Sequence, residues 1–404
     1  YHDWFKRMLG ILGDPVAARE AQLAARARGI RLAENPFEYK RAFSAVLDDS
    51  HLALLQELLS GHLEESSPLI LDSMAGGGSI PFEALRLGLP TVATELNPVA
   101  CVILQTTLVY PHRFGTDLVN ALIQWGNAAE EMGRSRLQPY FPAENNERIL
   151  DYMWARTVPC PTTGKPVPLS PNWWLRRQAE DSVAVHLLPC EPDWGECRFE
   201  IVRGPQRRLE ERYAPQQGTI RRGNAISPWT GDPVPGDYIK RIAQEGRMSA
   251  QLYALCVERG AGRDFRLPTA QDLKGYRRAE AALKERWEDW LAKGLIPTEE
   301  IPSGHKTDEP RRYGLDRWDK LFSPRQLLAM VTYLEVLREL KSRIDDELGE
   351  ERATAVRTYL GLVLDKCANY DSSLCIWHSL RNQIANTFDR HDYAFAWSFA
   401  EMNM

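Results

Sequence analysis

Leu69-Ile70-Leu71-Asp72-Ser73-Met74-Ala75-Gly76-Gly77-Gly78-Ser79-Ile80-Pro81-Phe82-Glu83-Ala84-Leu85-Arg86-Leu87-Gly88 decides the fold class of this chain. A short apolar run ends in a carboxylate, three glycines follow, and an amphipathic stretch with Pro in its first turn runs to Gly88. That order reads as strand, tight loop and helix. Thr91-Val92-Ala93-Thr94 then reads as a second strand, ending in Glu95-Leu96-Asn97-Pro98. Strand, helix and strand in this succession make a unit of a parallel sheet, so the chain is expected to be α/β.

Glycines at 76, 77 and 78 let a backbone pass close to a ligand where any Cβ would collide, and the helix start behind them offers free N–H groups. Glu95, nineteen residues after Gly76, closes the second strand, where a carboxylate can accept both hydroxyls of a ribose. A nucleoside-containing cofactor therefore fits. A dinucleotide fingerprint needs glycines at 76, 78 and 81, and position 81 is Pro. A phosphate-binding loop needs Lys-Ser/Thr after its last glycine, and none is present. S-adenosylmethionine has no phosphate, so close approach and a strand-end carboxylate suffice for it. Asp72 would take the ligand's ammonium group or order the loop. An ordinary glycine turn in an α/β core is the plain alternative.

Around this unit, Pro15 to Arg28 and Phe43 to Leu59 carry helical spacing, and residues 98–134 continue helically. From about 150 to 245 the texture turns to Pro, Gly, Trp and short β-type runs such as Val183-Ala184-Val185 and Phe199-Glu200-Ile201-Val202. Inside it Cys160-Pro161-Thr162-Thr163-Gly164-Lys165-Pro166-Val167-Pro168 recurs as Ser227-Pro228-Trp229-Thr230-Gly231-Asp232-Pro233-Val234-Pro235. Residues 246–404 read as mostly helical, with Ser323-Pro324-Arg325-Gln326 a capping box that opens a helix towards Leu348, and a second helix from Glu351 to Cys367. Three segments are expected: 1–149 as helical lead-in and cofactor-loop part, 150–245 as a β-rich insertion, and 246–404 as a candidate target-recognition or partner-binding part.

The chain has 404 residues, enough for two to three domains at about 150 each. No apolar run nears the roughly 18 residues of a membrane helix, so a helical membrane span is not expected. A net charge of −5 excludes a globally basic nucleic-acid coat but not a local basic groove. Seven cysteines in so long a chain make no disulfide scaffold and suggest a reducing, cytoplasmic setting. Arg203, Arg207, Arg208, Arg212, Arg221 and Arg222 are opposed over residues 203–222 by Glu210 and Glu211 alone. Such a patch can neutralise phosphates, and Arg207, Arg208, Arg221 and Arg222 are the candidate DNA contacts; a solvated charged face is the alternative. Trp173 and Trp174 read as buried core rather than a base-stacking platform, His378 near Cys375 as packing, and Asp345, Asp346 and Glu347 as surface rather than a metal cluster.

Asp72 to Pro81 with Glu95-Leu96-Asn97-Pro98-Val99-Ala100 resembles the cofactor loop of amino-methylating DNA methyltransferases, closest to adenine-specific DNA methylases that carry an inserted zinc ribbon. Asn35-Pro36-Phe37, Arg41-Ala42-Phe43, Gly246-Arg247-Met248, Tyr313-Gly314-Leu315, Leu321 to Gln326 and Ile384 to Phe388 extend the likeness over nearly the whole chain. The resemblance implies a class I, Rossmann-like core with a ribbon insertion, and methyl transfer from S-adenosylmethionine to adenine N6 in DNA. It further implies Asp72, Ala75, Gly76, Gly77, Gly78, Glu95, Asn97 and Pro98 as cofactor residues, with Asn97 and Pro98 shaping the adenine pocket. Some relatives are tied to restriction or phage defence, which makes other subunits of such a system possible partners.

Three departures qualify the likeness. The Asp/Asn-Pro-Pro-Tyr/Phe motif that holds the target amine is missing, since the chain contains no Pro-Pro dipeptide. No catalytic residue is therefore assigned, and a fragment that begins at Tyr1 and lacks the motif beyond Met404 is the expected account. The usual Pro-Phe of the loop is Ser73-Met74. The four ribbon cysteines are reduced to one, with Cys160, Thr163, Ser227 and Thr230 in their places, while Cys190 and Cys197 have the wrong spacing for a knuckle. The expectation is a ribbon-shaped module without metal, held by packing of Trp173, Trp174 or Trp229. A non-catalytic DNA-binding or scaffold subunit with the methyltransferase fold is the rival reading; an RNA or protein methyltransferase is a third.

Overall fold

The structure is a computed structural model that describes residues 6, 13–32, 35–37, 48–62, 68–143, 147–260, 262–389 and 392–404. The chain divides into two compact units, Tyr1–Gly115 and Thr116–Met404.

In the first unit, α1 (Pro15–Ala27) is capped by the Asp14 side chain and α2 spans Asp49–His62. The part of the expected second helix before Asp48, with Arg41-Ala42-Phe43 of the resemblance, lies outside the described residues. Next come β1 (Ile70–Asp72), α3 (Ser79–Arg86), β2 (Thr91–Ala93) and α4 (Pro98–Leu104). The strands pair in parallel, Leu71 opposite Val92, as the strand-helix-strand order requires. Ala75, Leu104 and Leu108 form a small core with Leu85 and Ala93. On the other side of the pair, Leu71 and Val92 stay 67% and 44% exposed. Beyond α4 the helix passes through a π turn at Gln105–Val109 into α5 (Tyr110–Leu137). Gly115, at φ 52° and ψ −134°, breaks α5 where the two units divide.

The second unit continues with β3 (Ile149–Pro159), β4 (Pro166–Leu169), β5 (Trp174–Arg176), β6 (Ser182–Leu187), β7 (Phe199–Gly204), α6 (Gln206–Tyr213), β8 (Ile220–Arg221), β9 (Asn224–Ile226), β10 (Pro233–Val234) and α7 (Gly236–Gln244). Then follow β11 (Ser249–Arg259), β12 (Gly262–Arg266), α8 (Ala270–Ala292), α9 (Asp308–Arg311), α10 (Pro324–Leu348), α11 (Glu350–Tyr370), β13 (Ile376–His378), β14 (Gln383–Ala385) and β15 (Ser398–Met402). The largest sheet is antiparallel in the order β12-β11-β3-β15, with β4 also on β3. From one face of β3, Met153 and Ala155 join the core of the β5-β6-β7 sheet, with Trp173, Leu175, Val183, Val185 and Phe199. From the other, Tyr152 and Trp154 pack with Leu252, Leu255 and Phe399 against Leu273 and Tyr276 of α8. That alternation is the period-two habit of a strand covered on both sides. Helices α8 and α10 share a further core through Leu283, Trp290, Leu327 and Val331.

The chain is thus mixed α/β. Two expectations about its organisation meet a different arrangement. The boundary expected after 149 falls instead at Gly115, because the glycine break is hidden in a helical pattern that continues on both sides. The segment 246–404 is not only helical: β11, β12 and β15 complete the sheet begun by β3, so the line drawn at 245 runs through one sheet. His378 lies in a strand of the β13-β14 hairpin.

Candidate functional site

The loop between β1 and α3 is built around one carboxylate. Glu95 Oε2 accepts from Gly76 N–H at 2.7 Å, and Oε1 accepts from Leu96 N–H at 2.8 Å and Asn97 N–H at 3.1 Å. These N–H groups, Asn97 first and then Gly76 and Leu96, hold the carboxyl below its usual range and so keep it ionised. A carboxylate has about four acceptor positions, so one remains on Oε2 after these three bonds. Main-chain bonds finish the loop: Ala75 N–H to Thr94 O at 3.1 Å, Thr94 N–H to Asp72 O at 2.9 Å and Gly78 N–H to Ala75 O at 2.8 Å. Asp72 Oδ1 accepts from Met74 N–H at 3.3 Å, so Asp72 orders the first bend, one of the two roles expected of it. Met74 is 85% exposed.

The three glycines differ in what surrounds them. At Gly76 (φ 51°) and at Gly77, a Cβ would meet no atom of the described residues within 4 Å, so their open side is clear of them. At Gly78 (φ 83°) a Cβ would lie 2.8 Å from Leu104 Cδ2 and 3.2 Å from Leu108 Cδ1. Gly78 therefore serves helix packing and the left-handed turn into α3, unlike the ligand approach expected of it, and Gly76 and Gly77 are the two glycines of the loop left open on their Cβ side. Asn97 caps α4 with Oδ1 on Val99 N–H at 3.0 Å, and Pro98 takes the first helical position. Beside Glu95 a cavity of about 750 Å³ is lined by Ala93, Leu85, Leu104, Leu108, Cys101 and Val109, among others. Asn97 and Pro98 are not part of that lining.

The four candidate phosphate contacts stand on two elements. Arg207 and Arg208 lie in the first turn of α6, and Arg207 is paired with Glu211 at 2.8 Å one helical turn on. Arg221 and Arg222 lie at the tip of the β8-β9 hairpin, with Arg222 at φ 50°. All four are exposed. Arg203 is taken up by Asp264 at 2.7 Å and by Phe265 O, so the excess of charge read from sequence is smaller in space.

The two repeat copies fold into the same turn. Cys160 N–H donates to Lys165 O at 2.7 Å and Gly164 N–H to Cys160 O at 2.8 Å; Ser227 N–H donates to Asp232 O at 2.9 Å and Gly231 N–H to Ser227 O at 2.8 Å. Gly164 and Gly231 both have positive φ, 71° and 79°. The turns face each other, with Ser227 Oγ donating to Cys160 Sγ at 3.2 Å. Burial raises the Cys160 thiol, but donors from Ser227, Thr163 and Thr162 outweigh it and bring it down to about 7. Of the tryptophans expected to hold this module, Trp229 does so, with Nε1 on Pro166 O at 2.8 Å and Lys165 Nζ 4.7 Å from its ring. Trp173 and Trp174 are buried in the two cores of the β5-β6-β7 sheet instead. Among the described residues no group of three or more His, Cys, Asp or Glu could hold a metal ion.

One cluster has no local signature in the sequence. Arg325, fully buried, meets Glu401 at 2.6 and 3.1 Å and stacks 3.8 Å from the Tyr152 ring centre, while Trp154 Nε1 donates to Glu401 at 2.7 Å. Gln326 Nε2 and Met402 N–H both donate to Asp371 Oδ1. The capping box revealed Arg325 and Gln326 as helix-start residues, but their partners lie 76 and 45 positions away and leave no local signal.

What fold and site define together is a mixed α/β chain with an open glycine loop braced by an ionised glutamate. Compared with protein-family models, curated proteins and solved structures, the chain matches none of them.

Proposed function

We propose that this chain carries the cofactor loop of a class I S-adenosylmethionine-dependent methyltransferase acting on adenine N6 in DNA. The observation that carries the reading is the Glu95–Gly76 bond, which turns the strand-end carboxylate into the loop beside two glycines open to a ligand. The residues present fit such a cofactor. Gly76 and Gly77 would let its methionine and ribose approach the backbone, the remaining acceptor position on Glu95 would take a ribose hydroxyl, and Asp72 would order the methionine end. Bound there, S-adenosylmethionine would supply an electrophilic methyl carbon on its sulfonium. The chain's own part is alignment, which is worth most when the reacting atoms are already held close.

Arg207, Arg208, Arg221 and Arg222 would contact DNA phosphates, and the Rossmann-like core, a cytoplasmic setting and a role in restriction or phage defence belong to the same proposal. A scaffold or DNA-binding subunit that keeps the fold without catalysis is the second reading, favoured by the absence of any Pro-Pro dipeptide.

Calorimetric titration with S-adenosylmethionine tests the site. Glu95→Ala is expected to weaken binding tenfold or more, about 1.4 kcal/mol. Equal affinity in wild type and variant would remove the ribose assignment. For DNA, neutralising the four arginines should flatten the dependence of log K on log salt, by about 0.9 for each phosphate that is no longer neutralised. An unaltered slope would discard the patch.

A further inference from the structure

We propose that Cys190 and Cys197 are a disulfide-forming pair, a modification site on the loop between β6 and β7 that takes its oxidising equivalents from low-molecular-weight disulfides. It does not rest on the methyltransferase reading.

The two Sγ atoms lie 3.5 Å apart, both as free thiols. A disulfide needs about 2.05 Å, so closure asks for roughly 1.5 Å of movement between two side chains that already touch. The frame around them is set. Leu188 N–H donates to Arg198 O at 2.9 Å, continuing the β6-β7 pairing up to the loop. Gln251 Nε2 holds Cys197 O at 2.7 Å, and Lys165 Nζ holds Pro192 O. The order of events follows from access: Cys190 is half-buried and Cys197 is 3% exposed. Burial pushes both thiols up, Cys197 further, while Lys165 offsets part of the effect at Cys190. The pair is therefore slow in neutral solution and faster as pH rises.

The reaction balances without any further reagent. The Cys190 thiolate attacks one sulfur of RS–SR, forming Cys190–S–SR and releasing RS⁻. Cys197 gives up its proton to solvent and attacks Cys190 Sγ, forming the protein disulfide and releasing the second RS⁻. Two protein thiols are oxidised, and one small disulfide is reduced to two thiols. The bond closes the loop Cys190–Cys197. Because Glu196, Cys197 and Arg198 line a cleft of about 460 Å³ with Gln251, Tyr276 and Arg277, the redox state of the pair would set how firmly that wall of the cleft is held.

The test is incubation of the intact folded chain with excess glutathione disulfide at pH 8, then alkylation, digestion and mass spectrometry. The expected result is a Cys190–Cys197 link in most molecules and the loss of two of the seven free thiols. Cys197→Ser should arrest with glutathione on Cys190, and Cys190→Ser should leave Cys197 unmodified. Should Cys197→Ser not fold, Cys197→Ala makes the same arrest, and the wild-type link is read without any variant. Glutathione persisting on wild-type Cys190, or its capture at Cys160 with no 190–197 link, overturns the proposal.

Discussion

Gly77 and Gly78 are neighbours under different constraints, and substitution separates them. Gly77→Ala adds a methyl to open space at ordinary φ, so its melting temperature should match wild type, with a stability change below about 1 kcal/mol. Under the proposed function it should nonetheless weaken S-adenosylmethionine in calorimetry, because the methyl occupies the ligand's approach. Gly78→Ala forces an alanine to φ 83° with Leu104 at 2.8 Å, and should cost about 1–3 kcal/mol by thermal unfolding. The sequence reading could count the glycines but not tell them apart, since Leu104 and Leu108 come from a later helix. At Asp371 the outcome depends on pH. Burial, helped by the charge of Glu401, raises its carboxyl to about 8, far above its unfolded value, and Oδ2 has no hydrogen-bond partner among the described residues. The folded state thus holds a proton that the unfolded state has released, so this residue's contribution falls as pH rises from about 4 towards about 8. Asp371→Asn keeps the Oδ1 acceptor for Gln326 and Met402 and cannot ionise. Its denaturation midpoints should lose that part of the downward slope, and a slope equal to wild type would show that Asp371 does not titrate there.

Among elements, the twin turns at 160–165 and 227–232 were legible because their spacing repeats and both glycines sit where a left-handed residue is required. Their joining contact was not, since a hydroxyl in place of a thiol says nothing about whether the turns still meet. They do, through Cys160 Sγ and Ser227 Oγ at 3.2 Å, close to the roughly 3.8 Å that separates two sulfurs on a tetrahedral zinc with Zn–S of about 2.3 Å. The variant Thr163→Cys, Ser227→Cys, Thr230→Cys should therefore bind one zinc per chain and melt higher with metal than with chelator. Metal analysis showing no bound zinc would mean the turns lack knuckle geometry. The capping box at Ser323–Gln326 formed as read, with both reciprocal bonds. Strand β11 was missed because Leu252 to Val257 is a continuous apolar run, which periodicity cannot assign to helix or strand.

Across the whole molecule, the expected three segments follow texture, whereas the main sheet gathers residues 149–159, 166–169, 249–259, 262–266 and 398–402. Pairings that distant are set by core packing, so local patterns do not announce them. Burial is unevenly shared. Of the described buried apolar side chains, Tyr1–Gly115 holds Ala18, Ala75, Pro81, Ala84, Ala100, Leu104 and Leu108, and all others belong to Thr116–Met404. A two-stranded parallel pair with one apolar face bare is marginal in water. Expressed separately, 116–404 should unfold in one cooperative transition by circular dichroism, and 1–115 should show none. A cooperative melt of 1–115 alone would count against this ranking.

The π turn at Gln105–Val109 has a consequence for how this region can vary. Such a turn is a helix with one surplus residue accommodated in a wider loop of the ladder. Deleting one of the five would close that wider loop to ordinary winding and leave the helical turns on either side close to their present faces. A change of one residue in length should therefore be borne better in this short stretch than in the regular helix beyond it, where it turns the rest of the helix by about 100°.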